Sequence, residues 1–270
     1  MECRKLAFAI PSTDYQGSSM DFFTPERIAK LKALSQDGKP FVFDDGDIRT
    51  LHFDERIVQS AMRVSAPDEL LIHYTQAMTG FLLFNPAPEH ILLIGLGGGS
   101  LVKYCYKHLP STRLTVLEID ADVITLREQF MIPADDARLQ VLHADARTYL
   151  HEMAGEAVDV ILLDGFDANG AVAELNSYVF FEDCRRVLRD GGVLLMNMAD
   201  DGDTATAALT QGQSLFGLAR LWWLKTVGEN SHLAVMLKVA DSVPDTDLRA
   251  KLMQMCRQFS LELIYPRHLA

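Results

Sequence analysis

Between His90 and Met198 the apolar residues gather into runs of five to seven, and each run but the last is followed by a stretch of helical spacing. HILLI, RLTVLEI, RLQVLHA, VDVILLD and VLLMNM are too short for helices and too continuous for strands with one wet face. LVKYCYKHL, DADVITLREQF, DARTYLHEM and YVFFEDCRRVL supply the intervening helices. Strands apolar on both faces, separated by helices of about ten residues, predict an α/β protein whose parallel sheet is covered on both sides. Beyond residue 218 the pattern changes again. ARLWWLKTV and SHLAVMLKV read as two strands joined by a turn at Gly228-Glu229-Asn230, and DTDLRAKLMQMCRQF as a closing helix. The sheet is therefore mostly parallel with an antiparallel C-terminal hairpin.

Residues 1–88 follow a different rhythm, and the expected division is an N-terminal unit over 1–88 and a larger domain over 89–270. TPERIAKLKALSQ predicts a helix with Thr24 as its cap and Pro25 in its first turn. Asp45-Gly46 between two β-rich runs predicts a hairpin, and a turn at Asp54-Glu55 leads to a third strand in IVQSAMRV. A helix from about Asp68 to Phe84 follows, with Pro86 and Pro88 marking the boundary.

Composition narrows the class. The 270 residues are 49% hydrophobic, enough for an ordinary core and too many for general disorder. With 25 Lys and Arg against 37 Asp and Glu, the net charge of −12 argues against nonspecific nucleic-acid binding and is compatible with a cationic small molecule. Four scattered cysteines, three of them on helical stretches (Cys105, Cys184, Cys256), indicate reduced thiols and neither a disulfide framework nor a metal site. No run approaches the length of a membrane span, and the start does not read as a secretory signal. The expectation is a cytoplasmic protein with no membrane partner.

In an open α/β sheet, ligands bind at the carboxyl ends of the strands, so the chemistry is sought there. The first strand ends in Gly95-Leu96-Gly97-Gly98-Gly99-Ser100, which allows a tight turn and close approach of a ligand to a helix N-terminus. The second ends at Glu118, a carboxylate suited to both hydroxyls of a ribose; Asp120 beyond it reads first as a helix cap. The third ends at Asp145-Ala146, where an acid and the next N–H can meet an adenine edge; capping of the next helix is an equally natural role. The fourth ends at Asp164-Gly165-Phe166-Asp167, two carboxylates able to hold an ammonium and accept its proton. A nicotinamide fold explains the first two features but not acids after the third and fourth strands. The order favours S-adenosyl chemistry.

The run HILLIGLGGGSL, LTVLEIDADVI, RLQVLHADARTYL, VDVILLDGFD resembles the polyamine aminopropyltransferase family, the spermidine and spermine synthases. The resemblance implies a Rossmann-like class I S-adenosylmethionine-dependent methyltransferase fold preceded by a small N-terminal β unit. It implies that Glu118 holds the ribose, Asp145 and Ala146 the adenine, and that Gly95, Gly97 and Gly99 line the sulfur end of the nucleoside. It implies Asp164 as the base that frees the attacking amine, Asp167 as a holder of the acceptor, and Gln59 as a contact to the nucleoside. His73 and Tyr74 stand beside the expected cleft, and Phe166 can cover the methylenes of a polyamine.

The sequence diverges from the family at the glycine loop. The family writes G-G-G-D-G-G, with the aspartate on the ammonium of the donor, and Gly98 stands in its place. The expected function is transfer of an aminopropyl group from decarboxylated S-adenosylmethionine to a polyamine, without a metal, in a homodimer. The alternatives are methyl transfer from intact S-adenosylmethionine, which the neutral loop favours, and a noncatalytic nucleoside-binding homologue. Trp222-Trp223 reads as core, one ring on each side of a strand.

Overall fold

A computed structural model describes residues 24–35, 39–55, 57–167, 170–171, 173–198, 203–217, 220–227, 231–240 and 242–264; the side chains at 25, 166, 167, 170, 171, 173, 203 and 204 lie outside that description. Cys3 and the turn at Gly228-Glu229-Asn230 also lie outside the described residues.

The N-terminal part opens with helix α1 (Pro25–Leu34), whose first turn is closed by the Thr24 hydroxyl accepting from the Arg27 N–H. β1 (Phe41–Asp45), β2 (Ile48–His52) and β3 (Ser60–Arg63) form a three-stranded antiparallel sheet in consecutive order, with Asp45 paired to Ile48 across the Gly46 turn. Two short helices follow, α2 (His73–Met78) and α3 (Phe81–Phe84), in place of the single helix expected from Asp68. The reasons are local. The Asp68 carboxylate is taken by Lys107 Nζ at 2.8 Å and by His108 Nε2 at 3.3 Å, which holds it outside any helix. At the break, a Cβ on Gly80 would lie 2.6 Å from Met255 Cε, so the chain tightens there against a distant side chain.

The remaining elements are β4 (His90–Ile94), α4 (Ser100–His108), β5 (Arg113–Glu118), α5 (Ala121–Thr125), β6 (Leu139–His143), α6 (Ala146–Glu152) and β7 (Val158–Leu163). They continue through the two-residue strands β8 (Phe166–Asp167) and β9 (Gly170–Ala171), a 3₁₀ turn at Ala173–Asn176, α7 (Tyr178–Val187), β10 (Leu188–Met198) and α8 (Asp203–Phe216). β11 (Leu221–Thr226), β12 (His232–Lys238), α9 (Asp245–Gln258) and β13 (Leu261–Ile264) complete the chain. Helix α5 is shorter than DADVITLREQF suggests. After Thr125 the N–H groups of Leu126 and Arg127 turn to carbonyls three residues back, at Val123 and Ile124.

Eight strands share one sheet in the order β13-β11-β12-β10-β7-β4-β5-β6. The pairs from β10 through β6 are parallel, whereas β12 and β13 run antiparallel to their neighbours. Alternating residues of each strand feed two cores. One face buries Ile91, Leu93, Val116, Leu162 and Trp222 with residues of α4 and α9; the other buries Leu92, Ile94, Leu117, Leu163 and Trp223 with residues of α6, α7 and α8. The tryptophans therefore pack on opposite sides, as the period of two requires. Each such side chain contributes roughly 1.5–3 kcal/mol on burial. Among the described residues no helix is long and apolar enough to cross a membrane. The strand order reverses direction between β4 and β7, and this switch point is where a doubly wound sheet opens a crevice.

Candidate active site

At the switch point the chain folds around one contact. Gly95, the first residue after β4, has φ +96°, and a Cβ there would lie 2.2 Å from the Asp164 carbonyl oxygen after β7. Only glycine allows both the positive φ and that approach. The strand ends are then tied by backbone bonds, Gly95 N to Leu117 O at 2.8 Å and Asp164 N to Ile94 O at 2.9 Å.

Above this contact lies a cleft of about 440 Å³ lined by Gln59, Tyr74, Gly95, Gly97, Glu118, Asp145, Ala146 and Asp164, together with Leu51, Phe53, Ile119, Arg147, Glu174 and Leu175. Eight of the residues singled out in the sequence thus converge on one cavity. Gly99 and His73 are not brought to its lining. Gly99 is the left-handed N-cap of α4, and a Cβ there would meet Ile132 Cδ1 at 2.5 Å, behind the loop. His73 occupies the first position of α2, half-buried, with Tyr74 turned to the cleft in its place. The side chains of Phe166 and Asp167 lie outside the described residues.

Asp164 is held in the cleft by two side-chain hydrogen bonds. Its Oδ2 accepts from Tyr74 Oη at 3.0 Å and its Oδ1 from Asn197 Nδ2 at 2.9 Å. Asn197 is itself held by the Ser231 hydroxyl, which donates to its Oδ1 at 3.3 Å. Burial pushes the Asp164 carboxyl above the ordinary carboxylate range; the two hydrogen bonds pull the other way, and the charge of Glu118 adds to the rise. A carboxylate so placed is a stronger base than an exposed one and has fixed orientation.

Glu118 is 8% exposed, and both its oxygens are engaged: Oε2 accepts from Leu96 N at 2.8 Å and Oε1 from Asp120 N at 2.9 Å. The carboxylate thereby couples the glycine loop to the end of β5 and keeps further lone pairs for a ligand hydroxyl. Asp120 caps α5 by accepting from Asp122 N at 2.8 Å. Asp145 caps α6, accepting from Arg147 N at 2.8 Å, and also pairs with Arg147 Nη2 at 2.7 Å, which holds its carboxyl below the usual range. Capping is thus an actual role of Asp145, alongside its place in the lining.

Two contributors escaped the sequence reading. Asn197 is a polar residue at the end of an otherwise apolar strand, a signal that reading the fifth strand end would have caught. Arg147 follows Asp145-Ala146 directly and covers that end of the cleft. The N-terminal unit reaches the same region through Gln59 and through Ser60 Oγ, 3.3 Å from Ser100 Oγ.

Residues 69–201, just under half of the chain, match a family model described as spermine/spermidine synthase domain. The polyamine aminopropyltransferase of Neisseria meningitidis serogroup A is 39% identical over 158 residues, 58% of this chain and 60% of that protein. The match therefore spans 60% of the length of that curated relative. Among solved structures, a probable spermidine synthase from Corynebacterium glutamicum superposes over 80% of this chain and 83% of its own with TM-score 0.67 and 19% identity. Human Methyltransferase-like protein 13 in complex with SAH superposes over 74% and 97% with TM-score 0.57 and 20% identity. Both structural likenesses show a shared class I methyltransferase-like fold.

Proposed function

We propose that this chain, whose residues 69–201 match the spermine/spermidine synthase domain, is a member of that family and transfers an aminopropyl group from decarboxylated S-adenosylmethionine to a polyamine amine. The observation that carries this reading is the half-buried Asp164, oriented by Tyr74 and Asn197 at the switch point of the sheet. The donor sulfonium is already an activated leaving group, so the protein has two tasks: to orient the amine and to remove its proton. In this reading the Asp164 carboxylate takes the proton from the acceptor ammonium. The freed nitrogen forms a bond to the carbon next to sulfur, the carbon–sulfur bond breaks, and its electron pair leaves with neutral methylthioadenosine. Glu118 would hold the ribose, Asp145 and Ala146 the adenine, with Gln59, Gly95 and Gly97 along the nucleoside and Tyr74 near the amine. The −12 net charge supports a cationic acceptor. The same reading assumes a cytoplasmic homodimer with no metal and no nucleic-acid partner, and sedimentation analysis tests the dimer.

One observation favours a second reading, methyl transfer from intact S-adenosylmethionine. Gly98 gives the loop no carboxylate, and a Cβ there would lie 2.6 Å from Ser60 Oγ and 2.9 Å from Phe130 Cδ1, so the neutral loop is built into the packing. A neutral loop at a helix N-terminus tolerates the carboxylate of the intact donor. Incubation of each donor with putrescine or spermidine separates the readings: methylthioadenosine release supports the first, and adenosylhomocysteine with a methylated product the second.

A further inference from the structure

The chemistry above makes no use of Lys103, although it is the most deeply placed ammonium near the cleft. It lies on the first turn of α4, is 4% exposed, and does not line the cavity. All three of its donors have acceptors: Gly98 O at 2.9 Å, Phe130 O at 2.8 Å and Met62 Sδ at 3.0 Å. The ring of Phe130 lies 5.8 Å from the nitrogen. These three partners belong to three separate pieces of chain: the glycine loop, the segment after α5, and β3 of the N-terminal sheet.

The loop needs such an anchor. Gly95, Gly97 and Gly99 all take positive φ, so its sequence imposes little conformational preference. Leu96 N and Gly99 N are fixed by Glu118 and Leu96 O, and Gly99 O by Lys103 N. The Gly98 carbonyl is fixed by the ammonium behind it. The peptide after Gly98 is thus held at both ends, its N–H by Leu96 O and its carbonyl by that cation, and only the second bond ties it to β3 and to the segment after α5. Burial draws the ammonium down to about 7, with Asp68 acting in the opposite sense, so the group is retained here at some expense to its charged form. A methionine would have filled the same space without that expense.

The geometry points to Lys103 as a positioning residue for the nucleoside cleft: by pinning Gly98 O to β3 and to the segment after α5, it fixes the glycine loop in the shape that receives the donor. This rests on the cleft being a nucleoside site, and it adds a requirement that the family reading does not contain. Lys103 acts through the loop and does not touch the reacting atoms.

The test compares wild type, Lys103→Met and, as a control for stability alone, Val187→Ala, which removes buried methyls from α7 on the opposite face of the sheet. Methylthioadenosine is the probe for binding, and donor and acceptor KM are measured with kcat. Lys103→Met is expected to raise the Kd for methylthioadenosine and the donor KM about tenfold, from the loss of bonds to two buried carbonyls, with acceptor KM and kcat changed less than about twofold. Val187→Ala is expected to lower Tm without moving the Kd. A Lys103→Met protein that loses Tm yet binds the probe like wild type overturns the inference. Should that variant fail to fold, Met62→Leu removes one acceptor at similar volume, with an expected rise in Kd of about two- to threefold; an unchanged Kd again overturns it. Wild type that does not bind methylthioadenosine defeats the nucleoside reading itself, a failure distinct from the other two.

Discussion

The Tyr74 hydroxyl donates to Asp164 Oδ2 at 3.0 Å, although the two residues are 90 positions apart and belong to the N-terminal segment and to the end of β7. This bond joins the part of the chain that precedes the large sheet to the carboxylate at its switch point. It also fixes which oxygen of Asp164 faces the phenol and leaves the other to Asn197.

Tyr74→Phe removes one donor to that carboxylate and nothing else of the ring. A hydrogen bond to a charged group contributes about 1.5–3 kcal/mol, so kcat for amine-dependent turnover should fall about tenfold or more. The Kd for methylthioadenosine should stay within about twofold, because the nucleoside contacts are elsewhere. Loss of a bond that lowers the Asp164 pKa should also move the acid limb of the pH–rate profile upward. Steady-state kinetics across pH on both proteins checks all three.

The raised Asp164 pKa has a stability consequence of definite sign. A carboxyl whose folded pKa lies above its unfolded value is favoured in the protonated form by folding. Its contribution is therefore greatest below the unfolded pKa and declines as pH rises toward the folded one. Where the group is ionised it works against the fold, so Asp164→Asn should raise Tm relative to wild type increasingly as pH rises, while abolishing turnover. Thermal scans at pH 4 and pH 7.5 test this: the gain should be smaller at the acid end.

Gly95→Ala should be among the most damaging single-methyl changes in the chain. The added carbon would fall 2.2 Å from the Asp164 carbonyl, on a backbone already at φ +96°. Destabilisation of about 3 kcal/mol or more is expected, with loss of nucleoside binding, measured by urea denaturation and titration with methylthioadenosine.

Glu118→Gln keeps size and removes charge. One amide oxygen can still accept, but the amide nitrogen must then face the Leu96 or Asp120 N–H, donor against donor. The expected loss is about 1–3 kcal/mol of stability and about tenfold or more in nucleoside affinity. Calorimetric titration against wild type measures the second.

Much of this arrangement could be read along the chain because its physics is local. The runs HILLI and VDVILLD can be satisfied only inside a two-sided sheet, and an acid closing such a run must face the crevice. That reasoning brought Glu118, Asp145 and Asp164 to one cavity. What escaped depends on long-range contacts. The division of 68–84 into α2 and α3 follows from Lys107 and His108 holding Asp68 and from Met255 packing on Gly80. α8 and β13 were not anticipated: the mixed run DTATAALTQGQSLF has no sharp apolar stripe, and LELI is too short to signal a strand until β11 offers it an edge. Lys103 was passed over because a lysine on a helix is usually solvated, and only the folded chain shows it enclosed.

Aminopropyl transfer at Asp164 is decided by product analysis on the purified protein given either decarboxylated or intact S-adenosylmethionine, with and without putrescine or spermidine. Methylthioadenosine release should require both the decarboxylated donor and an amine, and should disappear in Asp164→Asn although this variant still binds methylthioadenosine. Amine-dependent formation of adenosylhomocysteine from the intact donor, with none of the thioether from the decarboxylated one, would contradict it.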